Sequence, residues 1–96
     1  MAITPLYRRI QDAATDLLDG RTVVYDPNSG KFFGLNRSAT CLWEFLEEWR
    51  SLNDIKTLLC RMYSLDEKIA EQDAEHFIAE MIRIGLVEQS KAGVVL

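Results

Sequence analysis

Cysteine and histidine are scarce in this 96-residue chain, and their scarcity removes whole classes of chemistry. Cys41 and Cys60 stand far apart, with no Cys-x-x-Cys pair and no histidine at ligand spacing, so neither a zinc site nor a disulfide framework is expected. Both fall inside helical patterns, where a free cysteine behaves as a small buried hydrophobe. His76 is the only histidine and has no second imidazole to share a metal; the expectation is a solvated or hydrogen-bonded side chain and no metal. No apolar run approaches the roughly 18 residues that span a bilayer. The start, MAITPLYRRI, lacks the apolar core of a signal peptide, so neither export nor a membrane anchor is expected and a cytoplasmic location is. Positive charge is also in deficit. The net charge is −4, whereas a protein that grips phosphates needs clustered Lys and Arg. Glycine-rich phosphate loops, nucleophile elbows and ligand clusters are missing too, so neither an enzyme nor a cofactor is expected.

What is present suits one domain spanning residues 1–96, with a single modest core. Nearly half the residues are apolar and about a quarter charged, an ordinary balance for a globular chain. There are no repeats, low-complexity tracts or linkers. The chain divides into a β-rich first third and a helical remainder.

One strand is expected between Ile3 and Leu18, its register unfixed. The stretch VVYDPNSGKFFGLN, Val23 to Asn36, is much clearer. Val23, Val24 and Tyr25 at its start, and Phe32 and Phe33 beyond its turn, are good strand formers. Asp26-Pro27-Asn28-Ser29-Gly30 supplies turn chemistry, with Pro27 presetting φ and Gly30 able to take positive φ. This is a β-hairpin. If Tyr25 pairs with Lys31, then Val23, Tyr25, Phe33 and Leu35 share one face, and Val24 and Phe32 the other. A bulge at Gly30 slips that register by one. Either way both faces carry apolar groups, and the second strand needs a cover.

Asn36 reads as the N-cap of a helix with the apolar stripe Ala39, Leu42, Trp43, Leu46 and Trp49. Ser51 and Asp54 open a second helix in capping-box style. Ser64 to Glu67 repeats that start signal, and a third helix runs from about Glu67 to Ile84, stopping at Gly85. The tail LVEQSKAGVVL forms one strand with a frayed end, or a short ribbon turning near Lys91-Ala92-Gly93. The expected class is α+β: a three-stranded antiparallel sheet packed on three helices, laid out like a winged helix-turn-helix.

A winged helix invites a DNA-binding reading. The third helix opposes it with Asp66, Glu67, Glu71, Asp73, Glu75 and Glu80 against only Lys68 and Arg83. The remaining basic residues (Arg8, Arg9, Arg21, Lys31, Arg37, Arg50) make no obvious stripe. A DNA-binding regulator and a homodimer paired through the hairpin edge stay open as alternatives.

The order and spacing of several short motifs carry a resemblance. A strand ends in Gly-x-x-x-Gly-Leu-Asn (Gly30, Gly34, Leu35, Asn36), and a helix bearing Leu42 and Trp43 follows. The last piece is Asp-x-x-x-Phe-[Ile/Leu]-x-x-[Met/Leu]-x-x-x-Gly-Leu (Asp73, Phe77, Ile78, Met81, Gly85, Leu86). From Asp19 to Glu88 the chain resembles the PqqD-like family, small recognition elements in the biosynthesis of ribosomally made, post-translationally modified peptides (RiPPs). With GKFFGLN and LWEFLE in a stand-alone chain, it looks closer to the recognition proteins of lasso-peptide pathways than to those of cofactor biosynthesis. The resemblance implies a non-catalytic protein that binds the leader of a precursor peptide. It implies that the leader adds as an antiparallel strand to Lys31, Phe32, Phe33, Gly34 and Leu35, lying in a groove against Asp73, Phe77, Glu80 and Met81. It also implies a leader peptidase and a cyclase as partners, with neither nucleic acid nor membrane among them.

Overall fold

The computed structural model describes residues 4–90. Its elements are β1 (Tyr7–Arg9), β2 (Ala14–Leu18), β3 (Arg21–Asp26), β4 (Lys31–Leu35), α1 (Arg37–Phe45), α2 (Leu52–Tyr63), α3 (Glu67–Arg83) and β5 (Val87–Gln89). The α+β class is as expected: an antiparallel sheet in the order β2-β3-β4 packs with the three helices. A separate two-stranded ribbon, β1-β5, clasps the ends of the domain. The segment before Asp19 therefore holds two strands where the sequence reading expected one. β2 turns into β3 through Asp19-Gly20, both at positive φ, as a two-residue hairpin connection requires.

The β3–β4 hairpin forms in the slipped register: Asp26 pairs with Lys31, Tyr25 with Phe32, Val24 with Phe33 and Thr22 with Leu35. Asp26 is the reason. Its side chain is buried, and it accepts hydrogen bonds from the Asn28 N–H (3.0 Å) and the Ser29 hydroxyl (2.9 Å), while its carbonyl accepts from the Gly30 N–H (2.8 Å). A buried carboxylate needs such partners, so Asp26 stays in the strand and the loop shrinks to Pro27–Gly30. The faces are accordingly Val24, Phe33 and Leu35 inward and Val23, Tyr25, Phe32 and Gly34 outward, correcting the pairing of Tyr25 with Lys31.

Trp43 anchors the core. It is fully buried among Val24, Leu42, Leu46, Ile55 and Leu86, and its indole N–H donates to the Thr15 hydroxyl at 2.8 Å, tying α1 to β2. α1 stops at Phe45, so Trp49 lies beyond the helix and packs instead beneath the Arg8 guanidinium, 4.3 Å from its ring centre. At α2 the capping box of Ser51 and Asp54 forms as expected. Ser64 does not open α3; it closes α2 in the left-handed conformation, and Asp66 is the N-cap of α3. The tail contributes one strand, β5, paired with β1; the alternative turn at Lys91-Ala92-Gly93 lies outside the described residues.

Candidate functional site: a sheet edge beside an apolar cleft

β4 is an edge strand. It pairs with β3 on one side, and among the described residues no strand covers the other. Its side chains alternate as a half-buried strand should: Phe32 is 69% exposed and Gly34 is exposed, while Phe33 is half-buried against the core and Leu35 is 7% exposed. Phe32 rests on Tyr25, ring centres 4.7 Å apart, which leaves an aromatic pair on the outer face of the sheet. Edges of this kind, short yet apolar, carry unpaired backbone donors and acceptors that a further strand can meet.

Where β4 ends, Asn36 caps α1, its side chain accepting from the Ala39 N–H at 2.8 Å. The same residue opens a cleft of about 400 Å³ between α1, α2, the α2–α3 connection and α3. Leu42, Leu59, Leu65, Ala39 and Phe77 give it an apolar lining; Ser38, Tyr63, Asp73, His76 and Glu80 supply polar groups. The hydroxyls of Ser38 and Tyr63 hydrogen-bond to each other and join the start of α1 to the end of α2.

α3 presents two distinct rows to its surroundings. Ala70, Ala74, Ile78 and Met81 are buried, the two alanines allowing α2 to approach closely. Asp73, Phe77 and Glu80, one turn around, line the cleft. The candidate residues thus fall into three groups. Lys31, Phe32, Phe33, Gly34 and Leu35 form the edge; Asp73, Phe77 and Glu80 line the adjoining cleft; Met81 is 4% exposed and belongs to the core behind it. Leu35, although on the edge strand, also points into the core.

Glu80 is not an idle carboxylate. Hydrogen bonds from Arg83 hold it below the ordinary carboxylate range, with nearby Arg83 and His76 charge adding to the effect. Asp73 has no ion pair among the described residues, which makes it the less committed acid of the cleft. Sequence reasoning missed Asn36, Ser38, Tyr63, Leu65 and His76 as cleft residues. Ser38 and Tyr63 are 25 positions apart and no local spacing links them. His76 carried a usable signal, since it follows Asp73 and precedes Glu80 on one flank of α3.

Comparison with known proteins supplies the context of this arrangement. The family model for Coenzyme PQQ synthesis protein D (PqqD) matches residues 21–87, from the start of β3 to the start of β5. Among curated proteins none matches. Among solved structures, TbiB1 in complex with the TbiA(beta) leader peptide is similar with a TM-score of 0.74 and 25% identity, covering 84% of this chain and 94% of that one. A lasso peptide synthetase B1 complexed with the leader peptide has a TM-score of 0.73 and 22% identity, covering 85% and 96%. The PqqD truncation of Methylobacterium extorquens PqqCD, a stand-alone RiPP recognition element, has a TM-score of 0.68 and 18% identity, covering 86% and 88%; these last two likenesses are of fold. With about two thirds of its length matched by the family model, and the sheet and helices of that model in place, the chain belongs to the PqqD family.

Proposed function

We propose that this protein is a single-domain, non-catalytic recognition element that binds the leader segment of a ribosomally made precursor peptide by strand addition to β4. The observation that carries the reading is the uncovered edge of β4, with Phe32 exposed, running directly into the apolar cleft at Asn36. The likeness to TbiB1, which is bound to a leader peptide, supports it. A leader lying along Lys31–Leu35 would pair its backbone with the edge and turn alternate side chains toward the cleft, where Phe77 supplies an apolar wall and Asp73 and Glu80 complement a basic side chain. Met81 supports that wall from behind. A few backbone hydrogen bonds at about 1 kcal/mol each and two buried anchors at about 1.5–3 kcal/mol each offset roughly 2–5 kcal/mol of ordering cost. The balance is favourable by at most about 7 kcal/mol, which corresponds to a Kd of about ten micromolar at the tightest. The protein then serves a leader peptidase and a cyclase of a lasso-peptide pathway by raising the local concentration of the core peptide at the enzyme.

Two other occupants of the edge are less well supported. Duplex DNA meets an α3 whose exposed residues include Glu67, Glu71, Asp73 and Glu75. A second copy of the chain is testable in the same experiment as the leader. Fluorescence anisotropy with a labelled leader, taken from a short precursor gene beside that of this protein, is expected to show saturable micromolar binding that Phe32→Asp abolishes. Light scattering is expected to show no concentration-dependent size. Absent binding by the folded protein, together with a size increase that Phe32→Asp removes, would overturn the leader reading in favour of the homodimer.

A further inference from the structure

The basic residues that make no stripe in the sequence are sorted by the fold. Arg8 pairs with Glu88, Arg9 with Glu47, and Arg50 stacks on Phe45 while donating to its carbonyl. Lys31 remains at the turn end of β4, and Arg21 and Arg37 remain at the other end of the strand. Both arginines are exposed, and neither has an ion pair or a side-chain hydrogen bond among the described residues. They share a second cleft, of about 480 Å³, on the junction of β4 and α1; Leu35 and Asn36 line it, and Glu44 is its one carboxylate. The two guanidiniums leave this cleft with a net positive charge. The first turn of α1 adds to it, because it carries no acidic residue.

The path of Arg21 ties this cleft to the strand edge. Arg21 lies on the outer face of β3, one register step from the Val23–Gly34 pair. A Cβ built on Gly34 would stand 3.7 Å from the Arg21 Cδ, so the arginine stem lies against β4 where β4 has no side chain. Strands lie only about 4.8 Å apart, which puts the guanidinium within reach of whatever pairs with the outer edge of β4 at Gly34. Two residues back on the same face stands exposed Phe32.

Resting on the strand-addition reading, we infer that Arg21 and Arg37 form an anion subsite for an acidic side chain of the bound peptide, on its outward face opposite Gly34. The added strand runs antiparallel to β4, so its next residue faces inward opposite Phe33 and the one after faces outward opposite Phe32. The ligand class is therefore a peptide with an acid followed by two apolar residues, Asp/Glu-Φ-Φ. This charge fixes register: a slip of one residue turns the acid away from Arg21 and toward the cleft that holds Asp73 and Glu80. A strand held by backbone bonds alone lacks such a marker.

The test is a selection from a display library of peptides with about twelve random residues, carried out in parallel on the wild type, on Arg21→Glu and on Phe32→Asp. Arg21 is exposed and unpaired, so Arg21→Glu is expected to keep the fold, as far-ultraviolet circular dichroism would show. The wild type is expected to enrich Asp/Glu-Φ-Φ, and Arg21→Glu to enrich Lys or Arg at the acid position. A synthetic wild-type winner should bind Arg21→Glu about tenfold more weakly, recover when its acid is changed to Lys, and lose most of the difference at 0.5 M salt. Winners that need Phe32 but show no acid preference, or the same preference on Arg21→Glu, would overturn the subsite and leave strand addition standing. No enrichment, or winners that bind Phe32→Asp equally well, would overturn strand addition and the subsite with it.

Discussion

The contact between Trp43 and Thr15 shows how much one hydroxyl on a strand surface can carry. Thr15 is an exposed residue of β2, a position where substitution ordinarily changes stability by no more than about 0.5 kcal/mol. Its oxygen, though, is the acceptor for an indole N–H that is otherwise sealed in the core. Thr15→Ala is expected to cost about 1–3 kcal/mol, because the donor is left buried without a partner; urea unfolding measures it. Charge acts at the same scale on α2 and α3. A hydrogen bond from Lys56 (2.9 Å) holds the Glu67 carboxyl below its ordinary value of 4.5. A depressed carboxylate contributes stability that is fully present above that ordinary value and is lost as pH falls through the lowered one. Lys56 is raised in return, chiefly by the same bond, so its share is present below its ordinary value of 10.5 and is lost as pH rises through the raised one. Lys56→Met is therefore expected to destabilise the protein near neutral pH, with the deficit shrinking below the lowered Glu67 value. Urea midpoints of both proteins across the acid limb check this, and an unchanged deficit would contradict it.

At the scale of elements, the sequence was most legible where local chemistry decides and least where tertiary contacts do. The Asn36 cap, the Ser51–Asp54 capping box and the Gly85 stop follow from spacing rules and are all in place, Gly85 at positive φ. The register of the β3–β4 hairpin turned instead on Asp26, whose burial no pattern announces. Asp19-Gly20 was a readable hairpin signal between ATDLL and RTVV, and weighing it would have placed β2. Ser64 misled because Ser at a helix start and at a left-handed helix end looks alike in sequence; its φ of 51° decides. For the site, the apolar edge was visible as FF beside a turn, whereas the cleft was not, since α1, α2 and α3 each lend it only a few residues. The edge and the core can be separated by mutation. Phe32→Ala, at an exposed position, is expected to leave stability within about 0.5 kcal/mol while weakening leader binding roughly tenfold or more. Anisotropy and urea unfolding on one preparation report both, and a parallel loss of stability would assign Phe32 to packing.

Across the whole molecule, the ribbon of β1 and β5 closes the domain around segments distant in sequence. Tyr7, buried in β1, exchanges backbone hydrogen bonds with Arg50 (2.7 and 2.8 Å), and Ser90 donates through its N–H to the Leu6 carbonyl at 2.9 Å. β1 and β2 lie outside the stretch that matches the family model, yet they hold α1 and β5 in place. Tyr7→Ala is expected to cost about 3–5 kcal/mol, a large fraction of what a domain of this size possesses. A loss under about 1 kcal/mol in urea unfolding would show that the ribbon is an ornament on an otherwise self-sufficient core. The division of labour is clear in the fold: the ribbon and Trp43 hold the helices, β3 holds β4, and β4 is left with one side to offer.

The central claim is that a leader peptide adds to that side. An amide NMR titration of the protein with the leader of a short precursor encoded beside it tests this most directly. The account expects saturable shifts concentrated at Lys31–Leu35 and at the cleft residues Asp73, Phe77 and Glu80, with the Lys31–Leu35 amides gaining protection from exchange as they pair. A well-dispersed spectrum that the leader leaves unmoved, or shifts confined to residues away from β4 and α3, would contradict it.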